Sequence, residues 1–374
     1  MSFYYLRLHR AVLLAILLVA ALVFVDISVD VKRSERVLWS GTMEEDPAIG
    51  VGFGLEVDDG GWAYITDAAS GTITSVSPEG SVSEVKATDT LPSHPVALGR
   101  WFFLYCAEED TIVRYSIDDI RAGARPRPYE TMNLTDALST ALAAAEDVAP
   151  RVLPPDDALT DLRRMDAAGD DHLFLSADIV SDAYIYRVAL KWRPEDSLEE
   201  LTAAATWIYG AVTEEGDHGW EEFAPERVEV ERPVLDACPA AVLRNDGGPV
   251  RWRVECLHEE RSFSWEGVQP VRPELVGFAP RGDLWLAERR PLPRAGVAIT
   301  GFSSEWVFYW VSPDGQTRET VRVPWLREQR GGPAARSLGD SLYILYPSEE
   351  AYGLTLHVVE FARRVRVGFL ERGF

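Results

Sequence analysis

A motif that returns at a spacing near 40 residues, strand-like runs joined by tight turns, and a recurring Ser-Pro-acid-Gly turn together predict an all-β chain. Self-similarity of that period built only from strands is the signature of a β-propeller. Six blades are expected, or seven if residues 206–268 hold two. The expectation adds two short helical insertions and an N-terminal signal-anchor helix.

The repeat is clearest in "GGWAYITDAASGTITSVSPEG" (60–80) and "GRWFFLYCAEEDTIVRYSIDD" (99–119), which align without a gap at an offset of 39. Trp62 falls on Trp101, Tyr64 on Phe103, Ile65 on Leu104, Ile73 on Ile112 and Ser77 on Ser116. Each copy reads as an apolar strand, a polar turn and a second alternating strand. The cadence returns in "GDDHLFLSADIVSDAYIYRVALKW" (169–192), in "GDLWLAERR" with "EWVFYWVSPDGQTRETVRV", and in "GDSLYILYPSEEAYGLTLHVVEF" (339–361). A first strand precedes each glycine turn, as in "FGLEVD" (53–58), "HPVAL" (94–98) and "ELVGFA" (274–279). A fourth follows the Ser-Pro-acid-Gly turn, as in "SVSEV" (81–85). An antiparallel sandwich also makes serial hairpins, but the regular glycine–aromatic–turn cadence favours the propeller.

Residues 206–268 lack the glycine–aromatic signature yet carry the strand-like runs "ERVEVE", "CPAAVL" and "VRWRVECL". They read as one degenerate blade. "NLTDALSTALAAAEDV" (133–148) reads as a helix with Thr135 or Asp136 near its N-cap, and "PEDSLEELTAAATW" (194–207) as a second. "RVLW" (36–39) is expected to close the ring by pairing near "RRVRVGF".

The N-terminus divides from the rest. Arg7 and Arg10 precede an unbroken apolar run from Ala11 to Val25. That run fits a signal-peptide core and, with its flanks, just spans a bilayer. Small residues at Val19-Ala20-Ala21 offer a cleavage site, but "LVFV" would then begin the mature chain, so an uncleaved signal anchor is favoured over secretion. The domain reading is an anchor or signal peptide over 1–30, a linker with ring-closing strand over 31–48, and a propeller over 49–374. The basic residues before the apolar run put the bulk of the chain outside the cytoplasmic membrane.

Sixty acidic against 37 basic residues give a net charge of −23, which disfavours nucleic acid as a partner. Only Lys32, Lys86 and Lys191 are lysine. That balance suits a salt-adapted or GC-rich source, and equally a merely soluble acidic surface.

Blade one, "GLEVDDGGWAYITDAASGTITSVSPEG", resembles the NHL-repeat and gluconolactonase-like six-bladed propellers, whose blades run roughly G-I-A-V-D-x-x-G-x-I-Y-V-T-D. The resemblance covers blade one well, blade five in part and the others only as cadence. It implies a fold and leaves function open, because the group spans lactone hydrolases, lyases, sugar or quinone binders and interaction scaffolds. Its metal-dependent members need a calcium-like site of Glu, Asn and Asp on the inner strands. Here the positions equivalent to Glu56 are Pro95, Asp166, Gly277 and Ala335, and neighbouring positions carry His94, Arg164 and Glu274. Two matching carboxylates with no asparagine disfavour a metal. Glu56, Asp166 and Arg164 read instead as a polar plug in an axial channel, and no cofactor is expected.

No G-x-S-x-G or H-E-x-x-H occurs, and the six histidines show no metal-ligand spacing. "EEGDHGWEE" (214–222) reads as an exposed loop, and Asn133-Leu134-Thr135 is a glycosylation sequon of a kind often met by chance. Trp62, Trp101, Trp285 and Trp310 fall at blade positions and are assigned to core packing. Of three cysteines, Cys238 and Cys256 flank Asn-Asp-Gly-Gly, a strong hairpin signal. A three-residue loop would set them opposite each other within disulfide range, whereas a four-residue loop would leave both reduced. Cys106 is expected to be a free, half-buried thiol. The function these features support is a membrane-anchored extracytoplasmic scaffold for a protein or envelope glycan. The alternative is a hydrolase or lyase acting on a small lactone, ester or sugar in the channel. A sensor domain is a third, weaker reading.

Overall fold

The computed structural model describes residues 25–42, 53–87, 92–138, 159–168, 172–180, 184–192, 205–213, 220–222, 242–245, 251–255, 260–264, 274–278, 283–291, 302–312, 316–326, 333–347 and 353–369. These are mostly strands in antiparallel sheets, with few helices, as an all-β propeller requires.

Six sheets follow one another along the described chain. The first holds β2 (Phe53–Val57), β3 (Ala63–Asp67), β4 (Thr72–Val76) and β5 (Val82–Lys86), in that order. The second holds β6 (Pro92–Leu98), β7 (Trp101–Cys106), β8 (Thr111–Ser116) and β9 (Glu130–Asn133). The third runs β10 (Leu159–Ala168), β11 (His172–Val180), β12 (Tyr184–Trp192), β13 (Ala205–Thr213) and β14 (Trp220–Glu222). The fourth has β15 (Val242–Asn245), β16 (Arg251–Glu255) and β17 (Glu260–Ser264). The fifth has β18 (Glu274–Phe278), β19 (Leu284–Pro291), β20 (Phe302–Val311) and β21 (Thr317–Leu326). The last is ordered β1 (Val25–Thr42), β24 (Gly353–Phe369), β23 (Ser341–Pro347), β22 (Ala334–Leu338). Every sheet except the last is therefore a meander of consecutive strands.

The repeated turn has a repeated cause. Ser77 donates its backbone N–H to the Ser81 carbonyl (2.8 Å), and its hydroxyl accepts the Ser81 N–H (3.1 Å). Ser312 does the same with Gln316, at 2.9 and 3.1 Å. One side chain thus satisfies a donor that the turn would otherwise leave open. Before β3, Gly61 stands at φ 77°, a conformation that glycine adopts without strain, and Asp58 accepts the N–H groups of Gly60 and Trp62.

The core forms between sheets. Tyr64, Phe102, Leu104, Cys106 and Tyr115 pack the first sheet on the second. Phe103, Tyr105, Met165, Leu173 and Leu175 pack the second on the third. Leu55, Ile65, Leu345 and Leu356 pack the first on the last. Odd and even positions of β3 and β7 both meet a neighbouring sheet. That explains why these strands read as continuous apolar runs rather than as an alternation. Cys106 is fully buried rather than half-buried, and it is not in a disulfide.

Two compact units divide the chain: residues 1–36 with 359–374, and residues 37–358. In the smaller unit, Arg36 pairs with Glu360 at 3.2 Å. The larger contains all of β2 to β23.

Several expectations change. β1 begins at Val25, inside the stretch assigned to the anchor, and residues 1–24 lie outside the described residues. Among the described residues no helix is long and apolar enough to cross a membrane. The first insertion is helical over 134–138, but its cap differs: Asn133 Oδ1 accepts the Asp136 N–H and Asp110 accepts the Thr135 N–H. Of the second insertion, 194–204 lies outside the described residues, while Ala205–Trp207 belongs to β13. The β15–β16 hairpin pairs Val242 with Glu255 and Asn245 with Trp252. The disulfide reading needed Val242 opposite Trp252, three residues away. The register formed differs from the one a three-residue loop would give, while Cys238 and Cys256 themselves lie outside the described residues.

Candidate functional site

The predicted site residues all fall on first strands: Glu56 on β2, His94 on β6, Arg164 and Asp166 on β10, Glu274 on β18. The fold brings these strands together, with β2 lying beside β22 and β6, β6 beside β10, and β18 beside β22. Two glycines permit the approach. A Cβ on Gly54 would stand 2.5 Å from Thr66 Oγ1 and 2.6 Å from Pro95 Cδ. A Cβ on Gly277 would collide with Ser337 Oγ.

Glu56 is engaged across this seam. Its Oε2 accepts the Arg336 Nε–H at 2.9 Å, and Arg336 also donates to the Ala335 carbonyl at 3.3 Å. The Glu56 side chain is 12% exposed and that of Arg336 34%. A carboxylate this far from water needs a partner, and the guanidinium supplies charge and donors together. Sequence reasoning identified Ala335 as the equivalent position and passed over Arg336 beside it.

His94 occupies a bulge: β6 pairs with β7 at Ser93 and resumes at Val96. Its φ is 49°, uncommon for a residue with a Cβ, and Pro95 follows. Its Nδ1 lies 3.0 Å from Ser93 Oγ, and its ring meets Tyr105 edge-on at 6.3 Å. β10 and β18 carry irregularities too, between Leu162 and Arg164 and between Leu275 and Gly277. The backbone pairs Arg164 with Ser176, Asp166 with Phe174 and Glu274 with Ala287. The side chains of Arg164, Asp166 and Glu274 lie outside the described residues. Among the described residues no three His, Cys, Asp or Glu converge to hold a metal ion.

Away from the first strands, carboxylates are met by arginine and tyrosine. Asp58 accepts the Tyr64 hydroxyl at 2.6 Å and is paired with Arg121, which also donates to Tyr64 at 2.8 Å. Glu288, 1% exposed, is paired with Arg290 and accepts the Tyr309 hydroxyl at 2.6 Å. Asp283, equally buried, is paired with Arg318 at 3.3 Å. Burial foremost, and then the neighbouring carboxylate, pushes the Tyr64 and Tyr309 hydroxyls well above the ordinary tyrosine range. These clusters are built as structural ties: Asp58, on the turn after β2, ties to the helix Ile117–Arg121, and Glu288 ties Arg290 of its own strand to Tyr309 of β20.

The tryptophans divide. Trp285 and Trp310 are fully buried and stack at 5.8 Å, as expected of core residues. Trp62 and Trp101 are half-buried. Arg121 lies over the Trp62 ring at 4.9 Å. Arg100 and Arg114 lie over Trp101 at 4.7 and 4.5 Å, and the Tyr129 ring meets it at 4.9 Å. Within "EEGDHGWEE", Trp220–Glu222 forms β14 instead of loop; 214–219 lies outside the described residues. Asn133 of the sequon uses its side chain as the helix cap.

No protein-family model matches the chain. No curated protein matches it either. Among solved structures it is similar to several β-propeller proteins. Virginiamycin B lyase from Staphylococcus aureus shares 11% identity over 88% of this chain and 99% of its own, with a TM-score of 0.39. The PQQ-bound aldose sugar dehydrogenase from Streptomyces coelicolor shares 12% over the same fractions, also at 0.39. Apo AztD from Citrobacter koseri shares 11% over 79% of this chain and 80% of its own, at 0.34. At such identities and scores these are resemblances of fold, and the strand pairing carries the propeller description.

Proposed function

We propose that the chain is a six-bladed propeller, held at the cell membrane by its N-terminal segment with its bulk outside the cytoplasm, that binds a protein or an envelope glycan without turning it over. One observation carries the choice of scaffold over enzyme. Glu56, the first-strand carboxylate around which a channel chemistry would be built, is closed by Arg336 at 2.9 Å. A carboxylate held by a guanidinium is a poor general base, because the pairing favours its charged form and occupies its lone pairs. Six consecutive sheets, and first strands that neighbour one another, support the blade number.

The experiment uses the full chain in its native membrane. Affinity capture from envelopes, with and without digestion of glycans, should retain a partner. Hydrolysis of small lactones and esters, assayed with and without added calcium, should not differ between the wild type and Glu56→Gln. Metal-dependent turnover that Glu56→Gln abolishes would overturn the scaffold reading in favour of a hydrolase.

A further inference from the structure

We propose that the Trp101–Tyr129 face of the second sheet is a docking surface for an acidic glycan. This deepens the scaffold reading and rests on it. Tyr129 is 69% exposed, yet its ring is held 4.9 Å from that of Trp101, with the planes 56° apart. Its backbone N–H donates to the Arg114 carbonyl at 2.8 Å, which fixes the backbone from which the ring projects. Around the pair, Arg100 and Arg114 lie within 4.7 Å of the Trp101 centroid. An aromatic ring left in water but already ordered binds with little entropic cost. Tyrosine, tryptophan and arginine together are also the composition of binding hot spots.

Charge selects the partner. The segment "IRAGARPRPY" (120–129) has three arginines and no acid, in a chain of net charge −23. Arg121 is committed to Asp58, whereas Arg125 and Arg127 are exposed. Buried Pro126 pins the stretch between them, and each proline holds the residue before it extended. Tyr129 lies two residues from Arg127, so their Cα atoms are at most about 7 Å apart. Exposed Asp118 and Asp119 sit on the short helix Ile117–Arg121, whose first N–H donates to the Arg100 carbonyl at 3.0 Å. Glu130 follows Tyr129. The face is therefore mixed, with Arg100 and Arg114 set against the Trp101 ring. A pyranose offers a C–H face that complements the negative face of an aromatic ring. A uronic acid adds a carboxylate that an arginine fork takes in two bonds. A peptide of glutamates alone would satisfy the arginines but has no such ring face to offer.

The test titrates the full chain with an oligogalacturonate, a neutral malto-oligosaccharide of equal length, and an oligoglutamate peptide. The oligogalacturonate should bind saturably, at least tenfold tighter than the other two, and more weakly as salt rises. Tyr129→Ala and Arg100→Ala should each weaken it at least fivefold with the melting temperature unchanged, since both side chains stand at the surface. Absence of saturable oligogalacturonate binding, equal affinity for oligoglutamate, or variants that bind as the wild type does would each overturn the proposal. The scaffold reading fails separately: it falls if the full chain captures no partner from envelopes. It stands if Tyr129→Ala still captures one, and then only the docking face is wrong.

Discussion

Replacing Gly54 by alanine tests whether the first strands pack edge to edge as described. The added Cβ would stand 2.5 Å from Thr66 Oγ1, 2.6 Å from Pro95 Cδ and 2.8 Å from Pro95 Cγ. Ordinary carbon contacts are about 3.5–4.0 Å, so roughly 1 Å must be found. Thr66 is fully buried, and Pro95 is buried too. The pyrrolidine ring has no free rotor, and its backbone follows His94 in its bulge. Relief therefore requires β6 to move from β2. Overpacking of this kind costs about 1–3 kcal/mol. Alanine recovers about 0.5–1 kcal/mol of the entropy that glycine loses in a strand, so the net loss centres on about 1 kcal/mol.

Gly277 supplies the contrast. There the obstacle is Ser337 Oγ, with Ser337 Cβ at 3.5 Å, and a hydroxyl can turn away. Gly277→Ala should therefore cost less than Gly54→Ala, and adding Ser337→Ala should relieve it. Thermal unfolding followed by tryptophan fluorescence reads both. One kcal/mol shifts the midpoint by about 2–4 °C in a domain of 150–250 residues, and by less in a longer chain. A Gly54→Ala protein within about 0.5 kcal/mol of the wild type would refute the packing, as would equal losses at the two glycines.

Two further outcomes follow from the charge pairs. Arg336→Met removes the guanidinium partner of a largely buried Glu56 and should cost about 1–3 kcal/mol. Arg322→Met, which breaks the more exposed pair with Glu305 (2.6 Å, Arg322 side chain 59% exposed), should cost under about 1 kcal/mol by the same denaturation assay. At alkaline pH the fold should weaken: Tyr64, Tyr115 and Tyr309 all have hydroxyls raised above the usual tyrosine value of about 10. Above that pH the unfolded chain sheds these protons and the folded chain keeps them, so stability is full below about pH 10 and falls as pH rises beyond it. Absorbance at 295 nm should show these three ionising only as the chain unfolds, and Tyr64→Phe should shrink the alkaline loss.

What the sequence made legible was local. The Ser-Pro-acid-Gly turn is closed by hydrogen bonds within four residues, so Ser77 and Ser312 look alike in sequence because they act alike in structure. "FGLEVD" and "ELVGFA" are bounded by turn residues, and they form β2 and β18 as read. Short elements dependent on distant partners were missed. β9 has four residues and is a strand only because β8 pairs with it through Arg114–Glu130 and Ile112–Met132. The turn chemistry of Asn-Asp-Gly-Gly promised a short loop, but the β15–β16 ladder stops at Asn245 and resumes at Trp252. Trp101 matched Trp62 in the repeat, and both pack against the core as read while staying half-buried. The contacts of Trp101 with Arg114 and Tyr129 are ones that no spacing rule connects to it.

The same division explains why Glu56 was found and its partner was not. A carboxylate in an apolar strand stands out against its neighbours, whereas Arg336 lies 280 residues away in a strand of mixed character. An arginine-rich, lysine-poor chain makes such partners hard to single out, because nearly every cation is the same residue. In the structure Arg121, Arg290, Arg318 and Arg336 meet carboxylates that burial has stripped of water, and there the fork replaces lost hydration with charge and directed donors. Arg121, Arg290 and Arg318 lie over aromatic rings as well. Arg100 lies over an indole face at an exposed position beside an exposed tyrosine. A guanidinium stacked on a ring keeps its in-plane donors directed outward, where an anion can reach them.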